Sequence, residues 1–341
     1  MRVDKKYREV GSIIIPNSVT KIGGLAFTGV IGLKSITLPS SLKTVGSNLF
    51  SGSTSLTTLN IPSDMKLSTW PSSSSFMGGA DGAYRHYIST INTNGNPYIF
   101  VDGGAIYQKH TSSGEVRLIG VLDKVTEVTC IDSCKFICGR SFEASDVVTL
   151  NTNKVERIEA LGFYSAPNLK NVEMPNVKYI GGRAFENSGV SNIYLPKIET
   201  LGTTTGENGG ALSFSRGTIK LGEKISSIGS NVFCSHLTIN NYTTSIDLSE
   251  CVLLKTIGYN VFVKQSYLTS LILPPNLEVI KEGAFRKISK EFTMEIPESV
   301  TTIEAGSFVD CPKMKLKAPS HLKSQNSSGR WGIPNSRITW Y

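Results

Sequence analysis

The chain has 341 residues, of which 39% are hydrophobic and 18% are charged, and its formal net charge is +8. This composition excludes an intrinsically disordered chain, because disordered chains lack the apolar residues that build a core. No apolar run approaches the roughly 20 residues of a membrane-spanning helix, so we expect a folded protein that does not insert into membranes.

The excess positive charge lies at the two ends of the chain. Residues 311–341 carry six basic and no acidic side chains, and residues 1–10 carry four basic and two acidic ones. Nucleic acid is therefore not expected as a partner, because a nucleic-acid groove needs positive charge along its length. The basic C-terminal end either docks on an anionic surface or is the solubilising cap of the last repeat.

The N-terminus shows no secretory signal, because the apolar run Ile13-Ile14-Ile15 stops at Pro16. Two expectations stay open. Either a signal has been removed, or the protein reaches its destination by another route, for example in a phage particle released by lysis.

A short phrase recurs along the chain, and phenylalanine marks one position of it. Ser18–Phe27 and Ser299–Phe308 are two copies, and the commonest step between copies is 23 residues. One copy is too short to bury its own apolar face, so stacked copies have to share a core. The pattern predicts a single solenoid over residues 1–341 with a buried phenylalanine column: Phe27, Phe50, Phe142, Phe163, Phe185, Phe214, Phe233, Phe262, Phe285 and Phe308.

Each repeat opens with an alternating apolar phrase that ends in proline, as in Ile13–Pro16 and Leu271–Pro274. Apolar, often branched residues at every second position predict a short strand. Proline ends the strand because it has no N–H to donate to the neighbouring strand. Stacked repeats would place these strands side by side in a parallel sheet. The rest of each repeat carries an aliphatic residue, usually a glycine, and then the phenylalanine, and we expect a short turn or 3₁₀ segment there.

Residues 63–125 interrupt the repeats. The first half of this segment is rich in Ser, Gly and aromatic residues, including Trp70, Tyr84 and Tyr87. In the second half, Tyr98–Tyr107 predicts a β-hairpin with an Asp-Gly turn, followed by a further strand. The segment is either a structural insertion or a recognition loop, because exposed aromatic side chains are frequent in binding loops.

No catalytic or metal-ligating constellation is visible. The spacing Cys130-x3-Cys134-x3-Cys138 matches no zinc motif, and on the repeat pattern Cys130 and Cys134 replace inward-facing apolar residues. A local disulfide and a metal site are the alternatives. The four histidines are scattered, and no nucleophile or phosphate-binding motif is present. We therefore expect no enzyme activity, no metal and no cofactor.

The phrase Ile-x-Leu-Pro-x-Ser-Val-x-x-Ile-Gly-x-x-Ala-Phe, seen in Ile13–Phe27 and Leu271–Phe285, resembles the BspA-like, or Treponema-type, leucine-rich repeat. The resemblance covers residues 12–62 and about 125–319, and residues 320–341 resemble the C-terminal cap of such arrays. It implies a β-rich leucine-rich-repeat solenoid with a parallel sheet on the concave face, short turns or 3₁₀ segments on the other side and one β-hairpin insertion. It also implies surface-displayed proteins that adhere to host proteins, cells or other microbes.

Alternation along the strands assigns the side chains that point away from the core. In leucine-rich repeats the concave face commonly receives the partner, and a tyrosine among amides and charges suits recognition. The alternative is that such polar residues simply suit exposed strand positions. The candidate partner-binding residues are Asn171, Glu173, Asn192, Tyr194, Lys220 and Asp247, together with Trp70, Tyr84 and Tyr87 of the insertion.

These observations predict a non-enzymatic adhesion or protein-binding module, located outside the cell or on a bacterial cell surface. The expected partner is a protein or glycan on a host or microbial surface. The alternative is a structural or receptor-binding protein of a phage virion, which would bind other virion proteins.

Overall fold

The computed structural model of the protein describes residues 11–46, 48–67, 87–202, 209–213, 215–234 and 242–341. It is a β-solenoid, and nearly all of its regular structure is short strand. The chain divides into two compact units, Met1–Val172 and Glu173–Tyr341. The predicted fold class is confirmed, whereas a single solenoid body over the whole chain stays a prediction.

The first unit consists of short strands. They are β1 (Ser12–Ile14), β2 (Lys21–Ile22), β3 (Ser35–Thr37), β4 (Thr44–Val45), β5 (Thr58–Asn60), β6 (Thr90–Asn92), β7 (Ile99–Asp102), β8 (Ala105–Lys109), β9 (Val116–Val121), β10 (Glu127–Thr129), β11 (Cys134–Ile137), β12 (Thr149–Asn151), β13 (Arg157–Ile158) and, ending at the boundary, β14 (Asn171–Glu173).

The strands that open the repeats pair in parallel, in the orders β1-β3-β5-β6 and β10-β12-β14. Ile36 of β3 pairs in register with Leu59 of β5, and both side chains are fully buried, whereas the flanking Ser35 and Thr37 are half-buried. This is the predicted period of two. The strand β6 lies inside the segment 63–125 and was not predicted, because the phrase around Ile91 has no closing proline.

The return segments of the repeats also pair with one another. Ile22 of β2 pairs in parallel with Val45 of β4, and the next residue, Gly46, donates its N–H to the carbonyl oxygen of Ile22 at 2.8 Å. Glu159 and Ile137 make the same contact at 2.9 Å. The sequence predicted only turns or 3₁₀ segments here. Two-residue strands form because each buried N–H needs an acceptor and the neighbouring repeat supplies one.

The hairpin predicted between residues 98 and 107 is present. Strands β7 and β8 are antiparallel, and Asp102 pairs with Ala105 across a two-residue loop. Both loop residues, Gly103 and Gly104, have positive φ angles of 53° and 78°, as a tight hairpin turn requires. Strand β9 is antiparallel to β8 and parallel to β11, so the hairpin continues directly into the sheet of the return segments.

The second unit continues the same pattern. Its strands are β15 (Tyr179–Ile180), β16 (Ser191–Leu195), β17 (Thr200–Leu201), β18 (Arg216–Leu221), β19 (Tyr242–Asp247), β20 (Thr256–Ile257), β21 (Ser270–Ile272), β22 (Val279–Ile280), β23 (Thr293–Glu295), β24 (Thr302–Ile303), β25 (Lys315–Ala318) and β26 (Ile338–Trp340). The repeat-opening strands form the parallel sheets β16-β18-β19-β21 and β23-β25-β26. Two 3₁₀ segments, Ser320–Gly329 and Asn335–Arg337, precede the final strand, and the side chain of Trp331 between them is fully buried.

The phenylalanine side chains form the core of each unit. All those of the predicted column that the structure describes are at most 5% exposed, and Phe214 lies outside the described residues. In the second unit the ring centres of Phe233, Phe262, Phe285 and Phe308 follow one another at 5.0, 5.2 and 5.2 Å. The prediction of buried, stacked rings is confirmed within each unit.

A left-handed residue precedes each described phenylalanine of the column by two positions. Its φ angle lies between 55° and 72°, a region that L-residues other than Gly and Asn rarely adopt. The sequence analysis did not predict this feature, because the position has no common residue type. It holds Leu25, Asn48, Arg140, Leu161, Arg183, Asn231, Asn260, Gly283 and Gly306.

Candidate partner-binding surface

The sheet β16-β18-β19-β21 places three of the predicted residues in one row across neighbouring strands. Tyr194 pairs in register with Lys220, Lys220 pairs with Asp247, and Asp247 pairs with Ile272. The preceding residue of each strand belongs to the buried row Ile193, Ile219, Ile246 and Leu271. Alternation therefore turns the row Tyr194-Lys220-Asp247-Ile272, called here the central row, towards solvent.

Lys220 is the electrostatic centre of this row. Its ammonium nitrogen lies 2.6 Å from a carboxylate oxygen of Glu250 and 5.7 Å from the centre of the Tyr194 ring. The hydrogen bond to Glu250 raises the pKa of Lys220 above its ordinary value. The lysine is thus charged at neutral pH and is held between a carboxylate and an aromatic face. Sequence reasoning missed Glu250, because it lies in the turn after β19 and not in a strand.

The central row exposes apolar surface beside its charges. Tyr194 is 48% exposed and Ile272 is 50% exposed. Asp247 also accepts a hydrogen bond from the backbone N–H of Ser249 at 2.8 Å, so one of its carboxylate oxygens supports the local turn.

A groove of about 780 Å³ adjoins the row at the carboxyl ends of β16, β18 and β19. Tyr194, Pro196 and Val252 supply its apolar lining. Its charged lining is balanced, with three lysines and three glutamates: Lys178, Lys197, Lys224, Glu199, Glu223 and Glu250. Such a lining suits a partner surface of mixed charge more than a strongly charged polymer.

The structure does not add the other predicted strand residues to the central row. Asn192 is exposed, but it lies at a register irregularity with a φ angle of 57°, and its amide oxygen accepts a hydrogen bond from the Thr218 hydroxyl at 2.9 Å. Asn171 and Glu173 are exposed residues of β14, which belongs to the sheet β10-β12-β14. Asn192 therefore has a structural contact, and Asn171 and Glu173 are in a different sheet.

The aromatic residues predicted in the insertion are not assembled into a site. Trp70 and Tyr84 lie outside the described residues, and Tyr87 is half-buried. The recognition-loop alternative for this segment stays a prediction.

The cysteines take the predicted inward positions. Cys130 and Cys134 are 1% and 0% exposed and are free thiols. A hydrogen bond between the two thiols, followed by burial, raises the pKa of Cys130, and the same hydrogen bond lowers that of Cys134. Burial raises the pKa of Cys138 to about 12. Over the described ranges, no group of three or more His, Cys, Asp and Glu side chains is arranged to hold a metal ion.

Repeats of one strand and one return segment around a shared apolar core place this chain among the solenoid repeat proteins. The sequence profile of the BspA type leucine rich repeat region matches this chain with six copies, over residues 5–77, 121–209 and 210–315. The chain belongs to the BspA-type leucine-rich repeat family. No curated protein matches it.

Several solved structures are similar to this chain. A leucine-rich repeat protein from Bacteroides ovatus is 19% identical with a TM-score of 0.55, over 98% of this chain and 84% of that one. A leucine-rich repeat protein from Eubacterium ventriosum is 16% identical with a TM-score of 0.48, over 90% and 84%. The pneumococcal vaccine antigen PcpA is 16% identical with a TM-score of 0.44, over 97% and 79%. The first of these likenesses shows the fold.

Proposed function

We propose that this protein is a non-enzymatic binding module that adheres to a protein or glycan on a host or microbial surface. The observation that carries the proposal is the central row, in which Tyr194, Lys220 and Ile272 expose aromatic, charged and aliphatic surface side by side. Aromatic and charged groups next to one another are typical of residues that anchor a partner.

The groove beside the row supports the proposal. Thr218 and Ser270, at other outward positions of the same sheet, are polar, so Tyr194 and Ile272 give the central row apolar surface that those positions lack. Membership of the BspA-type family supports a binding role in general terms.

We further propose that the protein works outside the cell or on a bacterial cell surface. The family is the support for this location. The part of the chain that the structure describes has no helix long and apolar enough to cross a membrane. The alternative of a phage virion protein has no support in the comparisons.

The experiment is a binding titration of the labelled full chain on immobilised extracellular-matrix proteins, mucin and intact bacterial cells. The double variant Tyr194→Ala with Lys220→Ala should weaken binding about tenfold or more. Truncating a side chain that the partner buries on binding typically costs that much affinity. Its melting temperature should stay near that of the wild type, since neither side chain is part of the buried core.

The matched control is Tyr259→Ala, because Tyr259 is 49% exposed and lies outside the sheet β16-β18-β19-β21. This variant should bind like the wild type. Equal affinity of the double variant and the wild type for every surface that the wild type binds would exclude the central row as the binding site.

A further inference from the structure

A second exposed cluster lies at the amino-terminal ends of the same strands. Arg216 opens β18 and is the register partner of Tyr242, which opens β19, and Tyr267 lies shortly before β21. The guanidinium carbon of Arg216 is 4.8 Å from the centre of the Tyr242 ring. The rings of Tyr242 and Tyr267 are 5.0 Å apart at an angle of 37°. These three side chains are called here the Arg-Tyr-Tyr stack.

The Arg-Tyr-Tyr stack does not belong to the core. Tyr242 and Tyr267 are 38% and 37% exposed, and Arg216 is exposed as well. A guanidinium that lies over an aromatic face loses rotational freedom. Its N–H groups lie in the guanidinium plane and point away from its edges, so they stay available for hydrogen bonds. The stack therefore presents an oriented cation beside two aromatic rings.

Arg216 differs from Lys220 in its partners. Lys220 is neutralised by Glu250, whereas no carboxylate or other acceptor among the described residues bonds to the guanidinium of Arg216. A planar guanidinium with free N–H groups matches a carboxylate in a two-point hydrogen bond. The guanidinium of Arg216 can therefore bind an anion of this shape.

A row of small hydroxyl side chains follows the stack along the strands. Thr218 pairs with Ser245, and Ser245 pairs with Ser270. The hydroxyls of Ser245 and Ser270 have no hydrogen-bond partner within the described ranges. From the rise of a strand, Ser245 lies about 10 Å from Tyr242. These side chains offer hydrogen bonds beside the two aromatic rings.

We propose that the Arg-Tyr-Tyr stack and the adjacent hydroxyl row bind an acidic glycan, through a pyranose ring that carries a carboxylate. The carboxylate accepts two hydrogen bonds from Arg216, the C–H face of the sugar packs on the exposed tyrosine rings, and the sugar hydroxyls bond to Ser245 and Ser270. Uronates and sialates share this chemistry. A glycan is favoured here over a protein segment, because the rings lie beside serine hydroxyls, and a sugar presents a C–H face and hydroxyl groups together.

The proposal names a class of ligand for the binding function proposed above. It rests on that function only in assuming that the protein is a binding module. The site lies on residues other than the central row, and it is tested with free sugars. Failure of one proposal therefore leaves the other standing.

The experiment is saturation-transfer NMR and calorimetric titration of the full chain with a hyaluronan hexasaccharide and with 3′-sialyllactose. Chitohexaose and lactose are the neutral counterparts. We expect at least one acidic probe to bind and its ring protons to receive saturation. The neutral counterparts should bind about tenfold more weakly, and added salt should weaken binding of the acidic probe. Which acidic probe binds decides between a uronate and a sialate.

The variants separate stacking from charge. Tyr267→Ala should weaken sugar binding about tenfold, whereas Tyr267→Phe should keep most of it. Arg216→Gln should remove the preference for acidic over neutral sugars. Tyr259→Ala should bind the sugar like the wild type and serves as the control.

Two results would overturn the proposal. One is the absence of saturation transfer to every carboxylated probe at millimolar concentration. The other is unchanged sugar affinity in Tyr267→Ala and Arg216→Gln, with both variants folded by circular dichroism. Weaker binding of a protein partner by these variants, with no sugar bound, would assign the stack to an acidic protein segment instead.

Discussion

Phe262 provides the sharpest test of the shared core. Its side chain is fully buried and its ring lies between those of Phe233 and Phe285, at 5.0 and 5.2 Å. Replacing a buried phenylalanine by alanine costs about 3–5 kcal/mol of unfolding free energy, and each ring pair adds about 0.5–1.5 kcal/mol beyond buried area. The range of about 3–5 kcal/mol is the total cost of such a substitution, and Phe262 has two ring pairs, so we expect Phe262→Ala to lie in the upper part of that range, at about 4–5 kcal/mol.

The comparison variant is Phe308→Ala at the end of the described column. Phe308 is equally buried but stacks on one described ring, that of Phe285, at 5.2 Å. The difference between the two variants should therefore be about one ring pair, or roughly 0.5–1.5 kcal/mol. Phe262→Leu, which keeps most of the volume, should cost less than either alanine variant.

The assay is urea unfolding with linear extrapolation, in a Trp70→Phe background. Fluorescence then reports Trp331 and Trp340 alone, and both lie in the second unit. This choice matters, because stacked repeats and separate units need not unfold in one step. The exposed Tyr259→Ala serves as the control and should change stability little. A loss below about 1 kcal/mol in Phe262→Ala would refute the shared aromatic core.

The exposed Lys287 has a φ angle of 64°, which is strained for a residue with a Cβ atom. Lys287→Gly should therefore raise the unfolding free energy by about 0.5–1 kcal/mol. The relief of left-handed strain exceeds the stability lost through the conformational entropy that glycine adds to the unfolded chain. Lys290→Gly, at a position without a positive φ angle, should lower it in the same urea assay; equal effects would contradict the strain argument. The Glu304 carboxylate accepts hydrogen bonds from the Lys281 ammonium at 2.6 Å and from the backbone N–H of Glu282 at 3.0 Å, and the first of these chiefly lowers its pKa. Because the pKa of Glu304 is lower in the folded than in the unfolded state, its carboxylate stabilises the protein at pH values above the ordinary glutamate pKa of about 4.3. This contribution is lost as the pH falls through the pKa of Glu304 in the folded state. Urea curves between pH 3 and 7 should therefore show a pH-dependent contribution of about 0.5–1 kcal/mol that Glu304→Gln removes, and an unchanged pH profile in that variant would exclude the pair as its source.

Much of the fold follows from the local pattern of the sequence. The alternation that ends at proline places Ile36 and Leu59 in the core, and the recurring phenylalanine places Phe262 and Phe285 in a stack. The hairpin was predicted with an Asp-Gly turn, and the structure places its two-residue loop one position later, at Gly103 and Gly104, which both adopt positive φ. Each of these features is visible in the sequence as a short pattern, either within one repeat or recurring at a nearly fixed step.

The candidate partner-binding surface was predictable only in part. Tyr194, Lys220 and Asp247 could be placed in one row because a regular repeat carries each strand position to the next strand. Glu250 and the pairing of Arg216 with Tyr242 could not be placed. Glu250 lies in a turn, and the strands β18 and β19 contain a register irregularity that shifts their amino-terminal ends.

The sequence by itself determined the repeat, the inward-facing residues and the family, because an apolar position that recurs at a fixed step has to be buried against its copies. Only the tertiary structure decided the left-handed residues before each phenylalanine, the two-residue strands of the return segments and the Arg-Tyr-Tyr stack. The physical reason is the same for all three. They depend on hydrogen bonds and ring contacts between neighbouring repeats, and the groups that meet there lie about one repeat apart in the chain, so no short sequence pattern marks them.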